Sequence, residues 1–278
     1  MLIELRVVSA APGTTVQDGG RAGWLHAGVP PSGPLDATAH AAANLAVGNR
    51  PAAAVLEIPL GTLRAVVSEA VAWSIDGSPA CEARAGDELV VVPCDRAVRY
   101  LALRGDIDVP AVLGSKATLL SAGLGGASGR MLRAGDVIRL ASNDAPWRLL
   151  SNAPEVSTPP DPCVLRIRPG PHVGQFPAGA WEHLLSRAWK VSARSDRVGA
   201  RLEGDAIPRD RDDRLPPCPM IRGAIQVTTD GTPIVLGPDH PVTGGYPVLA
   251  VVTRASQALL ARLRPGRALA FALDDGFG

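Results

Sequence analysis

No charge of one sign dominates this sequence. Its 28 Lys and Arg residues stand against 27 Asp and Glu, a formal net charge of +1, with neither a basic arm nor an acidic tail. Nothing in that balance calls for nucleic acid or a charged membrane surface. Long apolar runs are also lacking: ELVVVP and ALAFAL fall far short of the roughly 20 residues that a membrane-spanning helix needs. Cys81, Cys94, Cys163 and Cys218 are widely spaced and form no CxxC pair, which argues against a zinc knuckle or a dithiol redox site. They are read as reduced, mostly buried thiols, and no metal site is expected. The opening MLIELRVVSAAPG has no basic region followed by a long apolar core, so it does not read as a secretory signal, and a soluble cytoplasmic protein is expected. A chain of 278 residues has room for two ordinary domains or one large β-rich unit, with a core that needs no disulfide or metal.

What the chain does have is punctuation. Thirty glycines and 26 prolines separate short Val/Ile/Leu runs, among them LIELRVV, AVLEI, LRAVV, ELVVV, VRYLAL, DVIRL, VLRIR, AIQV, PIVL, VLAVV and ALAFAL. That pattern predicts a mainly β protein with tight turns. Three stretches read as helix: one from an Asp36 N-cap to a stop at Gly48, one over roughly 178–189, and one over roughly 256–263 before Pro265-Gly266. The segment from Ala141 to Pro162 is the richest in Pro, Ser and Asn and is the candidate linker. It divides the chain into a first unit over 1–145, a linker over 146–162 and a second unit over 163–278. LRVVSAAPG at 5–13 and LRIRPGP at 165–171 echo one another; a duplication of related β units accounts for this, and so does ordinary β-turn chemistry.

Several tracts carry candidate chemistry. Gln17, Asp18 and Arg21 surround Gly19-Gly20, and Ser32-Gly33-Pro34 precede the first helix. A helix N-terminus with Ser32 nearby suits a carboxylate or phosphate, and the alternative is an ordinary capped helix entry. Gly123 to Arg130 looks like a phosphate loop but lacks the GK[ST] ending and a following helix, so it reads as a flexible glycine-rich turn. The five histidines show no HxH or HxxxH spacing, and no GxSxG elbow is present. His240, flanked by Asp239 and followed by Thr243 and Tyr246, either carries a proton near neutral pH or orients a turn. Arg194, Arg197 and Arg201 around Gly199 either grip a carboxylate or phosphate or decorate a solvated hairpin. The mixed-charge run from Arg209 to Arg214 reads as a solvent-facing loop.

In order along the chain, TTVQDGGR, GVPPSGPLD, AANLAVGN, LGSKAT, GGASGR with its Gly-Asp turn, RVGARLEG, GAIQVTTDGTPIVL and DHPVTGGYP resemble the biotin-dependent carboxyltransferase-like family. That family includes allophanate hydrolase subunit 2, the C-type subunit of 5-oxoprolinase and the carboxyltransferase part of urea carboxylase. The resemblance runs from Thr14 to about Val252. It implies two cyclophilin-like β-barrel units and a partner related to allophanate hydrolase subunit 1 or to the B-type subunit of 5-oxoprolinase. A biotin-attachment lysine of the AMKM type and an ATP-grasp domain are absent from the sequence. The chain departs from the family at Leu35, where Met is common, at Thr228-Thr229, where Pro-Pro is usual, and around Pro238 and Pro241 beside Asp239-His240.

The activity this implies is ATP-dependent opening of 5-oxoproline to glutamate with a partner subunit. His240, Asp239 and Asp18 are the candidate proton carriers. Gln17, Arg21, Ser32, Gly33, Arg197, Arg201, Gln226, Thr243, Gly244, Gly245 and Tyr246 are the candidate substrate contacts, and ATP is the expected co-substrate. Two alternatives stand beside it: carboxyl transfer from carboxybiotin to urea or a similar amide, which alone requires biotin, and a non-catalytic regulatory subunit.

Overall fold

The computed structural model describes residues 2–141, 156–209, 215–274 and 276. Most of the expected linker, through residue 155, and the run from Asp210 to Arg214 lie outside the described residues. The chain divides into two compact units, one formed by 1–22 and 32–158, the other by 23–31 and 159–278. It is mostly β, and every apolar run named above lies on a strand.

The first unit holds β1 (Leu2–Ala10), β2 (Thr15–Gln17), α1 (Ala37–Ala46), β3 (Val55–Pro59), β4 (Leu63–Val67), β5 (Val71–Ile75), β6 (Cys81–Ala83), β7 (Glu88–Val91), β8 (Val98–Leu103), β9 (Asp106–Ile107) and β10 (Val137–Ala141). These strands make two five-stranded sheets, ordered β7-β4-β1-β10-β9 and β2-β3-β8-β5-β6. Ile3, Leu5 and Val7 alternate inward along β1 and meet Leu56, Ile58, Leu101 and Leu103 of the other sheet in one core, as the period of two along a strand requires. β3 is buried on both faces because its other side receives α1: Ala39, Ala43 and Val47 pack on Val55, Val98, Tyr100 and Ala102. Small alanines let this helix lie close. A Cβ on Gly77 (φ +85°) would sit 2.6 Å from the Ala42 side chain.

α1 begins as the sequence predicts. The Asp36 carboxylate accepts from the amides of Thr38 and Ala39 at 3.0 and 3.1 Å, the usual way an N-cap satisfies the open first turn.

The second unit contains β11 (Cys163–Pro169), α2 (Ala180–Ser186), β12 (Trp189–Val191), β13 (Gly199–Glu203), β14 (Cys218–Pro219), β15 (Ala224–Val227), β16 (Pro233–Leu236), β17 (Thr243–Gly244), β18 (Val248–Val252), α3 (Arg254–Arg262) and β19 (Ala268–Leu273). Seven strands close a barrel in the order β11-β18-β15-β16-β13-β12-β19. The seam is a parallel pairing of β11 with β19, from Cys163 opposite Leu269 to Ile167 opposite Leu273. α2 ends earlier than the sequence predicts because Trp189 belongs to the barrel: it is fully buried, and its indole N–H donates to the Leu184 carbonyl at 3.1 Å.

Alternation along β15, β16 and β18 sends Ile225, Val227, Val235 and Leu249 into the barrel core. Ala224, Leu236 and Val248 face the other way, where Met220, Cys218 and Ile234 join them in a second small cluster. The β14–β17 ribbon, Cys218 opposite Gly244 and Pro219 opposite Thr243, carries part of that cluster. Of the four thiols, all free, only Cys163 is buried; Cys81 is exposed and Cys94 and Cys218 are intermediate, a correction to the expectation of mostly buried cysteines. No helix among the described residues is long and apolar enough to cross a membrane. Among the same residues, no group of three or more His, Cys, Asp or Glu is placed to hold a metal ion.

Candidate functional site

In the first unit, the loop after β2 folds onto the segment 112–118, which contains LGSKAT. Asp18 accepts from the Gly20 amide at 2.9 Å, the Ser115 hydroxyl at 2.5 Å and the Lys116 amide at 2.6 Å. Gln17 donates to the Thr15 hydroxyl and the Thr118 carbonyl, both at 3.0 Å. Arg21, only 1% exposed, donates to the carbonyls of Val112 and Ala117. Ser32 gives its hydroxyl proton to the Thr118 carbonyl at 3.0 Å. Gly33 (φ +84°) lies so close to the Gly20 backbone that a Cβ there would be 3.2 Å from the Gly20 Cα.

The structure therefore turns Gln17, Asp18, Arg21, Ser32 and Gly33 inward. Each holds the frame of this loop, and Asp18 takes three donors on its carboxylate. Of the two readings of the start of α1, the structure shows the capped helix entry: the helix's own Asp36 takes the amides of its first turn. The glycine-rich segment is a packed wall instead of a flexible turn, because a Cβ on Gly125 would meet the Ala117 carbonyl oxygen at 2.1 Å and one on Gly129 the Gly123 oxygen at 2.0 Å.

Beneath α1 lies a polar network that sequence reasoning missed. Glu57 and Tyr100 face one another across β3 and β8. The Tyr100 hydroxyl donates to Glu57 Oε2 at 2.7 Å and accepts from the Asp36 amide at 2.8 Å, and Glu57 Oε2 also accepts from the Leu35 amide at 2.9 Å. His40 rests edge-on against Tyr100, ring centres 5.8 Å apart. Burial, then the Glu57 and Asp36 charges, raises Tyr100 well above its ordinary pKa. Burial lowers His40, against the opposing pull of the Gln17 carbonyl and of Glu57 and Asp18. The signal for this cluster was in the sequence: a glutamate inside the apolar run AVLEI needs a buried partner.

In the second unit, Arg197 grips Asp239 with two hydrogen bonds, Nε to Oδ2 at 2.8 Å and Nη2 to Oδ1 at 3.0 Å, with side chains 11% and 5% exposed. The backbones meet as well, Asp239 N to Arg197 O at 3.1 Å and Gly237 N to Val198 O at 2.8 Å. These two candidates thus serve one another.

His240 is 1% exposed and sets Nδ1 against the Pro241 carbonyl at 2.9 Å. Because a carbonyl only accepts, Nδ1 carries the proton in the neutral ring and Nε2 holds the lone pair. Burial lowers the His240 pKa, and the Arg222 charge acts in the same direction. A neutral imidazole with a free lone pair is the form a general base requires.

Gln226 lies on the outward side of β15, donates to the Tyr246 carbonyl at 3.2 Å, and has its amide 2.7 Å from where a Gly244 Cβ would stand. A side chain at Gly244 would push the Gln226 amide aside. The Gly245 carbonyl accepts from the Leu215 amide at 2.9 Å, while Thr243 is exposed and Tyr246 half-buried. Arg201 is exposed on β13 opposite Ile234, and Ile234 stands opposite Gln226, so one outward row carries Arg201, Ile234 and Gln226.

A model described as carboxyltransferase domain, subdomain A and B, matches residues 27–273, and the chain belongs to that family. It is 35% identical to the C-type subunit of 5-oxoprolinase from Escherichia coli over 96% of this chain and 90% of that protein. It is 32% identical to a urea amidolyase of Lachancea kluyveri over 95% of this chain but 16% of that protein. The crystal structure of the K. lactis urea amidolyase superposes with a TM-score of 0.88 at 30% identity, covering 97% of this chain and 18% of that one. The Kluyveromyces lactis urea carboxylase gives the same TM-score over 27% of its length. The chain thus spans less than a third of these large relatives.

Proposed function

We propose that this chain is the C-type subunit of a 5-oxoprolinase, which opens 5-oxoproline to glutamate in an ATP-dependent reaction together with a B-type partner. The observation that carries the reading is the match to a 5-oxoprolinase C-type subunit along 96% of this chain and 90% of that protein, whereas the urea amidolyase match occupies 16% of its relative. Opening a lactam needs an activated carbonyl, a water from which a proton is removed, and donors for the developing oxyanion. His240 is the group that takes the water's proton, on Nε2, because its Nδ1 is held by Pro241. The Arg197–Asp239 pair fixes the backbone immediately before it. Arg201 and the ribbon from Thr243 to Tyr246 supply the cation and the N–H groups.

ATP is assigned to the complex. The residues of the glycine-rich loop do not fit a triphosphate: the segment carries no lysine, and Arg130 is held by both oxygens of Asp136. The test is to purify the chain with its partner and measure ATP hydrolysis with and without 5-oxoproline. Stimulation by 5-oxoproline with release of glutamate is expected; a complex that shows neither refutes the reading.

Carboxyl transfer from carboxybiotin to urea or a related amide is the second reading, favoured by the TM-score of 0.88 with the urea carboxylase structure. Biotin enters only under this reading. Urea-dependent consumption of carboxybiotin by the same complex, without turnover of 5-oxoproline, selects it.

A further inference from the structure

A pocket of about 470 Å³ opens in the first unit. Its size falls within the range of about 300–1,000 Å³ usual for small-molecule sites. One wall is apolar, made by Val109, Val112 and Val137; the facing wall is the backbone of Gly123 to Gly129, and Arg130, Asp136 and Ile138 complete the lining.

The glycine wall is rigid for a physical reason. Gly125, Gly126 and Gly129 hold positive φ with no room behind them for a Cβ, while beside Gly123 (φ +61°) a Cβ would meet nothing within 4 Å. Ser128 is held at φ +57° although it is not glycine, a backbone state that structures tolerate mainly where something uses it.

The polar groups available there share one character. Neighbouring amides are committed, Gly126 N to the Lys116 carbonyl and Gly129 N to the Gly125 carbonyl, whereas the N–H groups of Gly125 and Ala127 make no hydrogen bond with the described residues. Gly125 is itself buried, where an unpaired amide is unfavourable unless a ligand or water accepts from it. Arg130 uses Nη1 and Nη2 on Asp136 and the Met131 carbonyl, which leaves its Nε–H. Both Asp136 oxygens are engaged, one of them also by the Arg133 amide, so Asp136 offers little to a donor. Arg133 Nε also stands 3.9 Å from Asp136, so two guanidinium groups flank that one carboxylate.

We propose that this pocket binds a small carboxylate with an apolar body, its oxygens accepting from the Gly125 and Ala127 amides and Arg130 Nε, its carbon frame against Val109, Val112 and Val137. A cationic ligand finds the one lining carboxylate, Asp136, already engaged on both oxygens. A neutral one gains the apolar wall but not the charge-assisted hydrogen bonds. The proposal rests on the 5-oxoprolinase reading only in that 5-oxoprolinate belongs to this ligand class, and it is tested without partner or nucleotide.

The experiment is calorimetric and NMR titration of the intact chain with cyclopentanecarboxylate, cyclopentanecarboxamide and cyclopentylmethylamine. Binding of the carboxylate at least about tenfold tighter than the amide, about 1.4 kcal/mol, is expected, with no binding of the amine and with shifts of the Gly125 and Ala127 amide signals. Arg130→Gln should weaken the carboxylate at least tenfold, and Val137→Trp, a change at a partly exposed rim position, should abolish binding with the thermal transition unchanged. Equal affinity for carboxylate and amide, no binding of any probe at 10 mM, or carboxylate binding untouched in a folded Val137→Trp protein overturns the proposal. Absence of binding here with 5-oxoproline-stimulated ATP hydrolysis in the complex would remove this pocket and leave the functional reading standing.

Discussion

Arg197 and Asp239 clasp one another through two parallel hydrogen bonds of 2.8 and 3.0 Å, both side chains nearly out of solvent. The pair ties the start of β13 to the turn that presents His240, so it acts on the site through backbone position. Removing one member leaves the other charge buried, a change that typically costs about 3–5 kcal/mol. Asp239→Ala is therefore expected to lower the unfolding free energy by about 3 kcal/mol in urea titration. Arg197→Lys keeps the charge but loses the planar fork, and a smaller loss is expected. Wild-type stability in Asp239→Ala would mean the pair is open in solution.

His240 gives a different signature. Replacement by Ala should lower turnover of the assembled complex at least tenfold, about 1.4 kcal/mol of barrier, with little change in the urea midpoint. The pH dependence follows from the sign of its shift: burial holds the pKa below the ordinary value of 6.5, so the lone pair on Nε2 survives to lower pH. The acid limb of kcat/KM for the wild-type complex should therefore lie below pH 6.5, and a limb above that value would assign the base elsewhere.

Arg201 separates function from stability most cleanly. Its side chain is exposed and no hydrogen bond or ion pair holds it among the described residues. Arg201→Ala should leave the unfolding free energy within about 0.5 kcal/mol of wild type while reducing activity of the complex at least tenfold. Full activity in the variant would return Arg201 to the role of a solvated hairpin residue.

The strands were legible because alternation and punctuation are local signals: LIELRVV, VRYLAL and ALAFAL carry their own period, and Asp36 and Gly48 mark the ends of α1 by cap chemistry that needs no tertiary context. The premature end of α2 was not legible, since Trp189 leaves the helix to fill a barrel formed from residues far along the chain. The same limit applied to the site. Gln17, Asp18, Arg21 and Ser32 are polar residues in a glycine-rich tract, which from sequence looks like an open binding loop. Most of their partners are backbone carbonyls and amides of the segment 112–118, and backbone groups leave no mark in a sequence. Glu57, Tyr100 and His40 were missed for the converse reason: each sits in an apolar setting, and only the pairing of β3 with β8 and the packing of α1 against them show that they meet.

That network supplies a stability prediction. Tyr100→Phe removes the donor to Glu57 and the acceptor of the Asp36 amide without opening a cavity. A buried carboxylate and a buried amide each lose a partner, at about 1–3 kcal/mol for such a group. A loss of about 2 kcal/mol or more in urea-induced unfolding is expected, and a loss under 0.5 kcal/mol would show that water replaces the phenol.

Gly125→Ala tests whether the glycine-rich wall is packed or loose. The new methyl group would sit 2.1 Å from the Ala117 carbonyl oxygen, at a backbone φ of +68°. A carbonyl in the chain cannot swing aside as a flexible side chain can, and this one accepts from Arg21, so relief must move the segment that also holds Asp18 and Gln17. Overpacking of this kind costs about 1–3 kcal/mol, and the left-handed backbone adds to it. Gly123→Ala is the control: it shares the positive φ, but its methyl would meet nothing within 4 Å, so it carries the backbone penalty alone. The expected order of stability is wild type, then Gly123→Ala, then Gly125→Ala, with the last two separated by at least about 1 kcal/mol. Equal destabilisation of the two variants would show that the wall yields, and the tract would again be a flexible turn.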